Sequence, residues 1–76
     1  MSKLDKLIKK ILNGKNVSYD DAENILITLG FQLKISGSHH IFRKPQYQKT
    51  VSIKIRPQLM PYQVNDLKEV LKDHGY

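Results

Sequence analysis

Phe31-Gln32-Leu33-Lys34-Ile35-Ser36-Gly37-Ser38-His39-His40-Ile41-Phe42-Arg43 decides the fold. In its first part Phe31, Leu33 and Ile35 face one way, while Gln32, Lys34 and Ser36 face the other. Successive side chains of an extended chain point to opposite faces, so this period of two marks a strand. Gly37 supplies the backbone freedom that a tight turn needs, and Ser36-Gly37-Ser38 reverses the chain. In the run that follows, His40 and Phe42 share one face, and His39, Ile41 and Arg43 share the other. Two alternating runs joined at a glycine read as an antiparallel hairpin.

Moving outward on the C-terminal side, Lys44-Pro45-Gln46-Tyr47-Gln48 forms a longer loop, with Pro45 unable to donate to a ladder. Thr50 to Arg56 is then the cleanest alternation, with Val51, Ile53 and Ile55 inward and Thr50, Ser52, Lys54 and Arg56 outward. The three strands, 31–36, 39–43 and 50–56, form a meander covered on one face and wet on the other.

Helical periods flank the sheet. Leu4, Leu7, Ile8, Ile11 and Leu12 fall on one stripe of a helix over 3–12, which Gly14 stops. A second helix over 18–29 opens at Ser18, with Asp21 completing a capping box and Asp20, Asp21 and Glu23 at the positive end of its dipole. Ala22, Ile25, Leu26 and Leu29 make its buried stripe. After Pro57-Gln58-Leu59-Met60, Pro61 suits a helix start, and Val64, Leu67 and Leu71, with Val70 on the flank, place a third helix over 62–73. The expected architecture is α+β in the order α-α-β-β-β-α, a three-stranded antiparallel sheet with helices on one face. One domain spans 1–76.

Composition narrows the function. The absence of cysteine excludes a disulfide framework and a thiolate metal site. The apolar runs are too short for a transmembrane helix, and charges at Lys3, Asp5 and Lys6 occupy the place of a signal peptide's apolar stretch. A soluble, cytoplasmic protein is expected. The formal net charge is +6, and it is unevenly placed. Residues 31–60 carry Lys34, Arg43, Lys44, Lys49, Lys54 and Arg56 and no acid, while the flanks balance. Such a segment attracts a polyanion, most simply a nucleic acid.

Strand parity sharpens the site. If Phe42, Val51, Ile53 and Ile55 lie against the helices, the open face holds Gln32, Lys34, His39, Ile41, Arg43, Thr50, Ser52, Lys54 and Arg56. Its histidine is His39; His40 falls on the covered face near the strand's end. RNA carries its own nucleophile, the 2′-hydroxyl, beside each phosphate. A positioned histidine can remove that proton or protonate the departing 5′-oxygen, and Lys and Arg can hold the phosphate. The chemistry needs no metal, and no ligand set accompanies the histidines, His74 being distant in sequence. A Ser38-His39 dyad is disfavoured because neighbours in a strand point apart, and no phosphate-binding glycine loop is present.

These residues resemble a known family. Gly37-Ser38-His39-His40-Ile41-Phe42, the hairpin, the third strand and Pro61-Tyr62-Gln63-Val64 opening a last helix that ends near Gly75 are similar to HicA toxins. The resemblance covers residues 18–76 and leaves 1–16 as an N-terminal helical extension. It implies a double-stranded-RNA-binding-domain-like fold, cleavage of mRNA by one essential histidine, and neutralisation by a HicB-type antitoxin. By motif that histidine is His39, with His40 the fallback because spacing within the motif varies. Gly37 and Ser38 would support the turn, and Lys34, Arg43, Lys54 and Arg56 would grip RNA. The chain departs from its relatives at Arg56-Pro57-Gln58-Leu59-Met60, where they often have Gly-rich or His-bearing sequence. Two other readings use the same surface. A non-enzymatic module could bind RNA by shape through the basic face, and a protein-interaction module could dock through Ile41.

Overall fold

Alternation and helical period become six elements in the computed structural model, which describes residues 3–55 and 57–76. They are α1 (Lys3–Asn13), α2 (Tyr19–Thr28), β1 (Gln32–Ser36), β2 (His39–Arg43), β3 (Val51–Lys54) and α3 (Pro61–Asp73). The sheet is an antiparallel meander in the order β1-β2-β3. Fold class and element order agree with the sequence. Arg56, assigned to the basic face, lies outside the described residues.

Local chemistry sets the element ends. Ser18 caps α2: its Oγ accepts from the Asp21 amide at 3.2 Å, and Asp21 Oδ2 accepts from the Ser18 amide at 3.1 Å. At α3, Pro61 occupies the first turn, and the Met60 amide donates to Gln63 Oε1 at 2.9 Å. That bond explains why Gln63, a polar residue, sits buried among apolar neighbours. Between β1 and β2, Gly37 takes φ +60 and Ser38 stays out of the positive-φ region. A positive φ at the first of two loop residues belongs to a type II′ turn, whose twist matches the flanking strands.

The core lies between the helices and one face of the sheet. Ile8 and Ile11 of α1, Ala22, Ile25 and Leu26 of α2, Phe42, Val51 and Ile53 of the sheet, and Val64, Leu67, Val70 and Leu71 of α3 are all buried. Val17, Tyr19, Phe31 and Leu59 join them from element ends and loops. The Leu59 amide also donates to the Val17 carbonyl at 2.8 Å, fastening the segment before α3 to the segment before α2.

The inward assignment of Ile55 needs correction, and Ile35 stands in solvent as well. Ile35 and Ile55 are 62% and 64% exposed. Ile35 lies opposite His40, and both belong to the face that carries Phe42 and Ile53. The face was read correctly, but the helical cover stops before the β1–β2 turn. Leu12, assigned to the α1 stripe, is likewise 43% exposed.

At the opposite end, the β2–β3 loop is clamped to the end of α3. Phe31, Tyr47 and His74 form an aromatic cluster with centroids 5.1 to 5.9 Å apart. The Tyr47 hydroxyl donates to Asp73 at 2.8 Å, and Lys49 pairs with the same carboxylate at 3.0 Å. Lys44 Nζ donates to His74 Nε2 at 2.9 Å, while His74 Nδ1 donates to the Val70 carbonyl at 2.7 Å.

Candidate functional site

The antiparallel register sorts the sheet's side chains into two sets. Ser36, His39 and Lys54 form one cross-strand row, Lys34, Ile41 and Ser52 the next, and Gln32 faces Arg43 beyond them. Directly opposed side chains stand about 4.5–5.5 Å apart at Cβ. Lys34, His39, Arg43 and Lys54 therefore share one surface, with half-buried Ile41 among them. All four are exposed, so this face offers cations to a ligand without rearrangement. The His39 ring makes no hydrogen bond to the described residues, although its backbone lies within the ladder.

His40 occupies the other face, in the row Ile35–His40–Ile53. It is half-buried at the margin of the helical cover. Its Nδ1 is hydrogen-bonded to the hydroxyl of Tyr19 in the first turn of α2, and the two rings meet edge to face at 5.1 Å between centroids. The phenol is not a source of negative charge. Burial first, then the neighbouring carboxylate of Glu23, push its pKa well above the ordinary tyrosine value. Ser18, Tyr19, Asp20, Ile55 and Pro57 line a shallow hollow on this side of the molecule. The two histidines thus differ in kind: one lies free among cations, and the other has its ring fixed by a buried tyrosine.

Tyr19 and Glu23 were not singled out by sequence reasoning, although a signal was available. Tyr19 precedes Ala22 and Leu26 by three and seven residues, the spacing of one helical stripe, so it belongs with the buried side of α2. Its polar tip then needs a partner, which His40 supplies. Gly37 and Ser38 sit where the motif put them, in the two-residue turn that launches β2.

Among the described residues no group of three His, Asp or Glu side chains is placed to hold a metal ion. Among the described residues no helix is long and apolar enough to cross a membrane.

No curated protein and no solved structure matches the chain. A family model described as the HicA toxin of bacterial toxin–antitoxin systems matches residues 19–76, a stretch that opens at Tyr19 and takes in the whole sheet, all three histidines and α3. The chain belongs to the HicA toxin family.

Proposed function

We propose that this toxin is an endoribonuclease that cleaves mRNA in the cytoplasm through histidine acid–base chemistry, without a cofactor, and that a HicB-type antitoxin neutralises it. Membership in a toxin family supports a growth-arresting activity with a dedicated antagonist. The exposed cations Lys34, Arg43 and Lys54 support a polyanionic substrate, and Arg56 belongs to the same set by sequence parity.

The observation that carries the reading is the hydrogen bond between the Tyr19 hydroxyl and His40 Nδ1. A general base works when its ring is held and its second nitrogen is left for substrate, which is the arrangement of a base oriented by a third group. His40 has that support and is therefore our first choice for removing the 2′-hydroxyl proton. His39 is the second reading, favoured by its place between Ser36 and Lys54 on the cationic face. In either case Gly37 and Ser38 set the turn that positions the histidine.

Growth of cells expressing the chain tests the proposal. The native chain arrests growth and degrades mRNA, and co-expression of the neighbouring antitoxin frame restores growth. His40→Ala abolishes arrest while the protein still accumulates. Arrest by His40→Ala but not by His39→Ala transfers the role to His39. RNA binding with no mRNA loss in any form would identify a non-enzymatic binding module instead.

A further inference from the structure

We infer that Tyr19 and Glu23 act as positioning residues behind His40, holding its imidazole in the tautomer that carries the proton on Nδ1 and leaves Nε2 free to accept one. The inference rests on His40 as the acid–base group of the proposed ribonuclease, but its test does not.

A phenol has one proton to give. The Tyr19 hydroxyl is hydrogen-bonded to His40 Nδ1, and the carboxylate of Glu23, four residues on along α2, is the charged neighbour that acts most strongly on its proton. The ionised carboxylate is the stronger acceptor, because charge-assisted hydrogen bonds are roughly twice as strong as neutral ones. The phenol proton therefore turns to Glu23, and the phenol oxygen accepts from His40 Nδ1–H. Burial and Glu23 keep that hydroxyl protonated, and Asp20 is the other charged group it feels. In this arrangement His40 donates to Tyr19, and the phenol proton is drawn toward Glu23.

The chain is built on rigid parts. Tyr19 and Glu23 are four residues apart on α2, so they project from the same side of the helix. Tyr19 directly follows the Ser18 cap, and its ring is buried against the core. His40 sits in the middle strand, paired on both sides. When Nε2 takes the proton of a 2′-hydroxyl, the resulting imidazolium keeps its Nδ1–H bond to Tyr19, and the Glu23 carboxylate lies beyond it to offset the new charge. No proton needs to pass to Glu23. An acid behind a histidine does this in hydrolytic triads, fixing the tautomer and stabilising the cation.

The experiment is long-range proton–nitrogen NMR of the histidine rings in uniformly labelled protein, recorded at a pH where the imidazoles are neutral. His40 should show Nδ1 protonated and Nε2 unprotonated. Tyr19→Phe keeps the packed ring and removes the hydroxyl, and it should shift His40 toward the Nε2–H form, with His39 and His74 unchanged. Glu23→Gln should move the same signals part of the way, and serves alone if Tyr19→Phe does not fold. In RNA cleavage, Tyr19→Phe should lower kcat about 10- to 100-fold, the range for partners that orient a functional histidine, with KM unchanged. A native His40 already protonated on Nε2, or one indifferent to both substitutions, overturns the inference even if cleavage falls. Native-rate cleavage by His40→Ala overturns the catalytic reading instead, and the tautomer result then decides the positioning on its own.

Discussion

Lys10 on α1 pairs with Asp21 in the first turn of α2, Nζ to Oδ2, at 2.7 Å. The contact joins the N-terminal extension, which lies outside the matched family region, to the cap beneath Tyr19. Burial works against the Asp21 charge, but Lys10 and the Ser18 amide outweigh it, and the carboxyl is held below its ordinary value of 3.8. With Ile8 and Ile11 in the core, α1 is a structural part of the molecule rather than an appendage.

That pairing has a pH signature. A carboxyl with a depressed folded pKa stabilises the fold above its unfolded pKa, and the contribution disappears as pH falls through the folded value. Asp21→Asn should therefore be less stable than the native chain near neutrality and should lose less stability on acidification below about pH 4. Urea titrations at several pH values measure both. Ser18→Ala, which removes the reciprocal half of the cap, should cost about 0.5–2 kcal/mol.

The limit of the helical cover can be read from truncations. Ile53 is 1% exposed, so Ile53→Ala should cost about 2–5 kcal/mol in chemical denaturation. Ile35→Ser, at an exposed position of the same face, and Ile55→Ser, exposed just past β3, should stay within about 0.5 kcal/mol. A large loss at Ile35 or Ile55 would mean that the helices reach the β1–β2 turn.

The clamp at the other end of the sheet should respond to alkali. Burial and the bond to Asp73 raise the Tyr47 hydroxyl to about 12 from its usual 10.0. A raised folded pKa gives stability that is full below the unfolded value and is lost as pH climbs through the folded one. The native chain should thus weaken between about pH 10 and 12, and Tyr47→Phe should weaken less over that window. Thermal melts across this range are the measurement.

Much of this was legible in the residues, and the rest was hidden for a physical reason. A period of two assigns each side chain to a face, so Lys34, His39, Arg43 and Lys54 could be grouped before any register was known, and the register groups them identically. The same period does not say how far a helix extends over a face, which is why it assigns Ile55 inward although the residue stands in solvent. The Tyr19–His40 bond links residues 21 apart in sequence, on a helix and a strand. Only the packing of α2 on the sheet brings them together, so no local pattern could announce it.

RNA affinity should depend on salt through the open face. Each phosphate contact contributes roughly one unit to the slope of log affinity against log salt. Replacing Lys34, Arg43 and Lys54 one at a time by Gln should lower that slope by about 1 where the contact is direct. Filter binding with a His40→Ala background keeps the RNA intact during the titration. A slope unchanged in all three would remove the sheet's open face from the RNA interface.

End-group analysis of a defined RNA cut by the purified protein tests the central claim most directly. The account predicts products with a 2′,3′-cyclic or 3′-phosphate and a free 5′-hydroxyl, formed equally well in EDTA. Replacing the ribose at the cleavage site by 2′-deoxyribose should block the cut, because the nucleophile is gone. His40→Ala should reduce the rate by about 10²–10⁴-fold, the loss typical of a general acid–base group. Undiminished cleavage by the His39→Ala, His40→Ala double variant, or 5′-phosphate products, would contradict it.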